Sequence, residues 1–186
     1  MNDIKKERML EIEEIVNGLL SGINFEKSPY VDIVSLVKKD NFEVKTETMD
    51  IDTTGYLVVN DNAEKLERNI TVNTIFKNPD NETDVIFKKS RFITAHEYGH
   101  FILHKKSEDP LYAHRDSDHR TEPMELEADY FARAILMPLE QFKLYNTVLN
   151  DFSNMDNEFV NKILSRLFRV TKNKIEKRKE DLLVLN

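Results

Sequence analysis

The sequence of 186 residues contains no cysteine and no tryptophan, and it has only four glycines and five prolines. Without cysteine there is neither a disulfide nor a thiolate metal site, so a transition metal would have to bind to histidine, aspartate or glutamate. The longest apolar runs have four residues, as at 134–137 and 182–185, whereas a membrane helix needs about 20. The N-terminus also lacks an apolar signal core. We therefore expect a cytoplasmic protein without membrane association.

Basic residues are outnumbered by acidic ones, 27 to 34, which gives a net charge of −7. The negative electrostatic potential of such a protein repels polyanions, which argues against general nucleic-acid binding. Hydrophobic residues make up 40% of the chain, enough for a folded core. The length fits one domain with a small appendage, and we predict the division at 1–149 and 150–186.

The periodic patterns predict a mostly helical α+β fold with a small sheet. Apolar residues recur at helical spacing over residues 4–20, and this helix is expected to close near Gly22. Ser28 is the expected N-cap of a second helix, which would start with Pro29 and end near Asp40. Period-two alternation predicts strands near 42–46, 55–59 and 70–72, which we expect to form a three-stranded antiparallel sheet.

The rest of the chain is predicted to be helical, apart from a charged loop at 105–120 and a polar linker at 150–157. The expected helices cover 84–103, the stretch after Pro123, the stretch after Pro138, 158–168 and 172–184. The last two resemble half of a helix-turn-helix unit in their apolar spacing.

All five histidines lie in one 24-residue window, at positions 96, 100, 104, 114 and 119. The centre of this window, His96-Glu97-Tyr98-Gly99-His100, is an H-E-x-x-H motif. On a helix, positions i and i+4 share a face about 6 Å apart, so two imidazoles can bind one zinc ion. Glu97 lies one step round the helix, where it can accept a proton from an attacking water. The motif also occurs on helices that bind no metal, but here most flanking residues are apolar, and a buried unpaired imidazole is costly.

A zinc site needs a third protein ligand. His104 follows His100 by four residues and so continues the series of histidines on one helix face. It would, however, lie about 12 Å along the helix axis from His96, so we expect it to be a helix-end or supporting group. Glu125 and Asp129 share a face of the next predicted helix; Glu125 is the preferred ligand, and Asp129 would accept the N–H of a ligating histidine. Glu127 points about 200° away from Glu125 and remains a less favoured ligand. A solvated acidic helix face is the alternative interpretation.

Two segments around these residues carry a combined pattern. The first is RFITAHEYGH at 91–100, followed by LH at 103–104; the second is ELEADYFA at 125–132, which runs into ILMP at 135–138. This pattern resembles the ImmA/IrrE family of zinc metallopeptidases over about residues 28–184. The combination is far more specific than H-E-x-x-H alone.

The resemblance implies a zincin-like metallopeptidase domain with a small sheet, an active-site helix and often a final helical pair. It also implies a zinc set of His96, His100 and Glu125, with Glu97 as the catalytic base. Many members are cytoplasmic and cleave a helix-turn-helix repressor of a mobile element, a prophage or a stress regulon. Members differ in their partners, and not all need be proteases. Zinc is the expected metal, with manganese as an alternative that cellular supply would decide.

Peptide hydrolysis also needs a donor for the developing oxyanion. The predicted polar loop contains four candidates for this donor: Tyr112, His114, Arg115 and His119. The sequence gives no reason to prefer one of them. For each of them, a solvated loop residue is the more favoured interpretation.

The C-terminal region differs from the rest of the chain in its charge. Residues 160–181 contain eight basic and three acidic residues. One interpretation is contact with DNA or a repressor. The favoured one is a basic amphipathic hairpin packed on the protein itself, because so small a cluster binds DNA weakly at physiological salt.

Three functions are consistent with these features. The preferred one is a zinc endopeptidase that acts on a protein regulator. The second is a non-catalytic, zinc-stabilised module that binds a repressor or DNA. The third is a general aminopeptidase-like enzyme acting on short peptides. The substitution Glu97→Gln would distinguish the two enzymes from the binding module, because only the enzymes need Glu97 as a base.

Overall fold

A computed structural model describes residues 4–50, 52–62, 65–74, 83–105, 111–114, 122–151 and 156–185. Contacts divide the chain into two compact units. The first contains Met1–Ile4 and Asp32–Ala132, and the second contains Lys5–Val31 and Arg133–Asn186. The division at 1–149 and 150–186 remains a prediction. None of the helices in the described ranges is long and apolar enough to cross a membrane.

The first unit is built around one long helix and a mixed sheet. Its elements are α2 (Ile33–Lys39), β1 (Glu43–Glu47), β2 (Gly55–Asn62), β3 (Lys65–Asn73), α3 (Thr83–His104), β4 (Leu111–His114) and most of α4 (Pro123–Leu136). The α3 helix contacts β2 and β3, and all residues from 91 to 100 are buried. The mostly helical α+β class predicted from the sequence is confirmed.

The sheet differs from the predicted three-stranded antiparallel one. Within the described part of the chain it has four strands, in the order β1-β3-β2-β4. The β3 strand lies between β1 and β2, so that Ile70 is opposite both Val44 and Leu57; its pairing with β1 is parallel and its pairing with β2 is antiparallel. The prediction also missed β4, because four residues inside a charged stretch are too few to show a period-two pattern.

The start of α2 also differs from the prediction. Asp32, not Ser28, is the N-cap: its carboxylate accepts hydrogen bonds from the Ser35 backbone N–H and hydroxyl, at 3.1 and 2.7 Å. An aspartate at this position satisfies a backbone donor of the first turn and also suits the helix dipole. Ser28 instead accepts a bond from the backbone N–H of Tyr30, at 3.2 Å.

A polar cluster anchors α3 within the first unit. The Tyr98 hydroxyl donates to the Asp40 carboxylate, and Arg68 donates to the Asp40 carbonyl at 2.7 Å. Burial, together with the bond to Asp40, raises the pKa of Tyr98 well above its ordinary value. The Arg68 guanidinium also lies 4.9 Å from the ring centroid of Phe101. These contacts fix the face of α3 that packs against the neighbouring elements.

The second unit is helical. It contains α1 (Lys6–Leu19), the last turn of α4, α5 (Leu139–Asp151), α6 (Asn157–Leu167) and α7 (Lys172–Leu185). Arg178 of α7 is fully buried; it donates to both carboxylate oxygens of Glu13, at 2.6 and 3.1 Å, and to the Met137 carbonyl at 3.1 Å. The predicted final helical pair is present as α6 and α7.

Candidate metal centre

Three potential ligand atoms converge between α3 and α4 in the first unit. His96 and His100 lie one turn apart on α3, and Glu125 lies in the first turn of α4. The Nε2 atoms of the two histidines are 3.1 Å apart. Of the Glu125 carboxylate oxygens, Oε2 lies 3.2 Å from His96 Nε2 and Oε1 lies 2.9 Å from His100 Nε2. The His96 and His100 side chains are 0% and 3% exposed. These three residues could hold a metal ion.

The geometry of this group fits a zinc ion. Two donors of a tetrahedral zinc, each about 2.0–2.1 Å from the ion, lie about 3.3–3.4 Å apart. The three separations of 2.9–3.2 Å need to open by only a few tenths of an ångström. Two imidazoles and one carboxylate also form a ligand set found in catalytic zinc sites, in which a fourth position stays open.

Asp129 orients one of the imidazoles. Its Oδ1 lies 3.0 Å from Nδ1 of His96. Because a carboxylate only accepts hydrogen bonds, His96 carries its proton on Nδ1, and the lone pair of Nε2 faces the other two ligand atoms. Asp129 follows Glu125 by one helical turn, so a single face of α4 supplies both groups.

Glu125 is ionised in this site. Burial opposes its charge, but the adjacent imidazoles of His100 and His96 outweigh the burial and bring the pKa of Glu125 to about 2. A carboxylate that stays charged near neutral pH is the form that binds a cation.

Glu97 lies on α3 between the two histidines and is fully buried. The start of β2 approaches it closely: a Cβ atom built on Gly55 would lie 3.6 Å from Glu97 Oε1, 2.6 Å from Ile93 Cγ2 and 2.8 Å from the Thr71 carbonyl oxygen. Only glycine allows β2 to pass α3 at this distance. Gly55 could not be predicted as a site residue from the sequence, because the atoms that crowd it belong to other elements.

Gly99 has a similar role on the opposite side of α3. A Cβ atom at this position would lie 3.3 Å from the Cα atom of Ala128 on α4. The small residues at both positions allow the backbones of α3 and α4 to come close. This approach brings Glu125 within reach of the two histidines. A glycine inside the H-E-x-x-H motif was the available signal, but its neighbour on α4 was not apparent.

His104 and Glu127 lie beside the three ligand atoms. His104 Nδ1 is 3.1 Å from His100 Nδ1, and its Nε2 is 3.3 Å from Glu127 Oε2. The structure therefore brings both residues next to the site, with Glu125 rather than Glu127 in the group of three.

The candidate oxyanion donors fall largely outside the described residues. The backbone of Tyr112 and His114 belongs to β4, which pairs antiparallel with β2. Their side chains, and all of Arg115 and His119, lie outside the described part of the structure. Their assignment remains a prediction.

Comparison with known proteins bears on the same segment. The family model of the IrrE N-terminal-like domain (Peptidase_M78) matches residues 88–179, which include α3 from Lys88 onward and all of α4. Among curated proteins, none matches the chain significantly. Residues 88–179 are therefore similar to the IrrE N-terminal-like domain of the Peptidase_M78 family, which confirms the resemblance to the ImmA/IrrE proteins.

Proposed function

We propose that this protein is a zinc-dependent endopeptidase that cleaves a protein regulator in the cytoplasm. The observation that carries the proposal is the convergence of His96, His100 and Glu125, with the buried Glu97 between the two histidines on the same helix. The match of residues 88–179 to a peptidase family model supports the reaction type. A metal ion held by these ligands would polarise the peptide carbonyl and make water more acidic. Zinc suits the ligand set, and manganese could replace it where supply favours manganese.

Glu97 would act as the general base and then as the general acid. Its carboxylate accepts a proton from the attacking water, whose oxygen forms a bond to the carbonyl carbon. It then passes that proton to the amide nitrogen as the C–N bond breaks, so that an acid and an amine leave. The buried surroundings of Glu97 exclude other water and strengthen each electrostatic interaction.

The proposed substrate is a helix-turn-helix repressor. This expectation comes from the resemblance to ImmA/IrrE proteins, many of which act on such regulators. It is consistent with an acidic chain that is poorly suited to bind DNA itself.

Contacts within the second unit weigh against DNA binding by α6 and α7. At least five of the eight basic residues in 160–181 have partners: Arg178 with Glu13, Lys172 with Glu158, Lys177 with Glu180, Lys179 with Asn157, and Arg169 over the ring of Tyr30. Cations that are already paired or stacked release fewer counterions from a phosphate backbone. These contacts favour an internal, structural role for the helical pair.

The test is a cleavage assay with a helix-turn-helix repressor from the same organism. The zinc-loaded wild type, Glu97→Gln and Glu122→Gln are each mixed with the repressor, and intact masses are read over time. Glu122 is an exposed glutamate just before α4 and serves as the matched control. We expect one discrete cut by the wild type and the control, and none by Glu97→Gln, which should still bind zinc.

Two results would overturn the proposal. Cleavage by Glu97→Gln at the wild-type rate would remove Glu97 from the reaction. Equal repressor binding by all three proteins without any cut would favour the non-catalytic module.

A further inference from the structure

We propose that His104 and Glu127 form a hydrogen-bonded relay that holds His100 in its metal-binding tautomer. The three side chains form a chain of contacts, with 3.3 Å from Glu127 Oε2 to His104 Nε2 and 3.1 Å from His104 Nδ1 to His100 Nδ1. The proposal rests on the metal-binding part of the proposed function and not on the peptidase reaction. His104 and Glu127 are positioning residues, since they would act on the metal only through His100.

The relay begins at Glu127. A carboxylate has lone pairs but no proton to donate, so the atom of His104 that faces it must carry the hydrogen. Neutral His104 is therefore protonated on Nε2, which leaves Nδ1 as an acceptor. The His104 side chain is 6% exposed and that of Glu127 is 22% exposed, so water competes little for the bond.

The second step fixes the proton of His100. Its Nδ1 faces Nδ1 of His104, and two ring nitrogens at this distance need one donor and one acceptor. Because His104 accepts, His100 donates. The lone pair of His100 is then on Nε2, which lies 2.9 Å from Glu125 Oε1 within the group of three ligand atoms.

The opposite arrangement would disable the site. With its proton on Nδ1, His104 would donate to His100, and its bare Nε2 would face the Glu127 carboxylate. His100 would then carry its proton on Nε2, where the metal must bind. Glu127 thus does for His100, through one additional imidazole, what Asp129 does directly for His96.

Zinc affinity tests the relay with variants that differ in hydrogen bonding more than in size. His104→Phe keeps a ring but has no acceptor. His104→Asn places an amide oxygen at the position of Nδ1 and retains the acceptor. Glu127→Ala removes the start of the relay, and Glu122→Ala is its exposed control. Affinity is measured by competition with a chelator, using zinc alone and no substrate.

We expect zinc affinity to fall about 10–100-fold in His104→Phe and Glu127→Ala. His104→Asn should recover most of this loss, and Glu122→Ala should bind as the wild type does. Wild-type affinity in His104→Phe would overturn the relay. Equal losses in His104→Phe and His104→Asn would also overturn it, since that result would indicate packing alone.

A second measurement needs no bound metal. Long-range ¹H–¹⁵N NMR at pH 8, where an ordinary imidazole is neutral, reports which nitrogen of His104 carries the proton. We expect the Nε2–H tautomer in the wild type and a mixture in Glu127→Ala. An Nδ1–H tautomer in the wild type would contradict the relay, even if the protein proved not to be a peptidase or a His104 variant failed to fold.

Discussion

The ring of Phe131 lies so close to Gly99 that a Cβ atom built at residue 99 would be 2.9 Å from Phe131 Cδ1. Phe131 is fully buried on α4, and its ring also packs edge-on against Tyr98, with centroids 6.0 Å apart. The ring therefore has little room to move away. The spacing between α3 and α4, and with it the distance from Glu125 to the two histidines, depends on the absence of a side chain at residue 99.

We predict that Gly99→Ala lowers both stability and zinc affinity. Overpacking of this kind costs about 1–3 kcal/mol, and any separation of the helices moves Glu125 away from His96 and His100. Denaturant unfolding and chelator competition measure the two effects.

Gly18→Ala is the matched control for this substitution. Gly18 lies in α1, and nothing is within 4 Å of a Cβ atom built there. The control should be stabilised by about 0.5–1 kcal/mol, because alanine is the better helix former. Similar behaviour of the two alanine variants would show that α3 and α4 are not as close as described.

We also predict a contribution of Asp61 to the pH dependence of stability. Hydrogen bonds from Arg68, at 2.8 and 3.1 Å, and an ion pair with Lys105 at 3.1 Å hold the pKa of Asp61 below its ordinary value of 3.8. Because the folded pKa is the lower one, this stabilisation is present above about pH 4 and is lost as the pH falls through the folded value.

The Asp61→Asn variant should therefore be less stable than the wild type at pH 6, with the difference shrinking toward pH 3. Urea midpoints across this range measure it. Asp151→Asn, which changes an exposed aspartate at the end of α5, is the control and should follow the wild type. A difference that stays constant from pH 6 to pH 3 would contradict the role of the Asp61 charge.

The buried pair of Glu13 and Arg178 gives a prediction for the second unit. Arg178→Met leaves the Glu13 carboxylate buried without its guanidinium, and we expect a loss of about 3–5 kcal/mol in the free energy of unfolding. The double variant Glu13→Leu/Arg178→Met removes both charges and should recover much of that loss.

Lys172→Met is the surface comparison. Lys172 pairs with Glu158 at 2.6 Å, but its side chain is 45% exposed, and exposed pairs contribute about 0–1 kcal/mol. If Lys172→Met and Arg178→Met lowered the free energy of unfolding by equal amounts, the burial of the Glu13–Arg178 pair would not increase its importance for stability.

The residues that converge in the candidate metal centre could be predicted from the sequence, because they recur at helical spacing along single helices. His96 with His100, and Glu125 with Asp129, are each one turn apart, and this spacing alone indicates a shared face. Gly55 and Gly99 could not be found in this way, since the atoms that crowd them belong to other elements. Contacts of this kind follow from tertiary packing, which a one-dimensional period does not contain.

The errors in the fold have similar causes. Ser28 before Pro29 has the pattern of a helix start, but Asp32 forms the cap, because both the hydroxyl and the backbone N–H of Ser35 bond to it. The alternation within β1 indicated a strand correctly, yet nothing in it specified a parallel neighbour. Pairing direction depends on which strand enters the sheet beside it, and that is a property of the whole topology.

The position of β3 also has a consequence for how the chain folds. β2 ends at Asn62 and β3 begins at Lys65, so only two residues separate these antiparallel strands in the sequence, and a hairpin of this kind forms in about 1–10 microseconds. In the described sheet β1 pairs with β3 alone, across a longer stretch of sequence, so we expect this pairing to form after the hairpin. The topology of the sheet therefore predicts an order of assembly. The β2–β3 hairpin forms first, and the parallel pairing of β1 with β3 follows as the slower step, because it joins residues farther apart in the sequence.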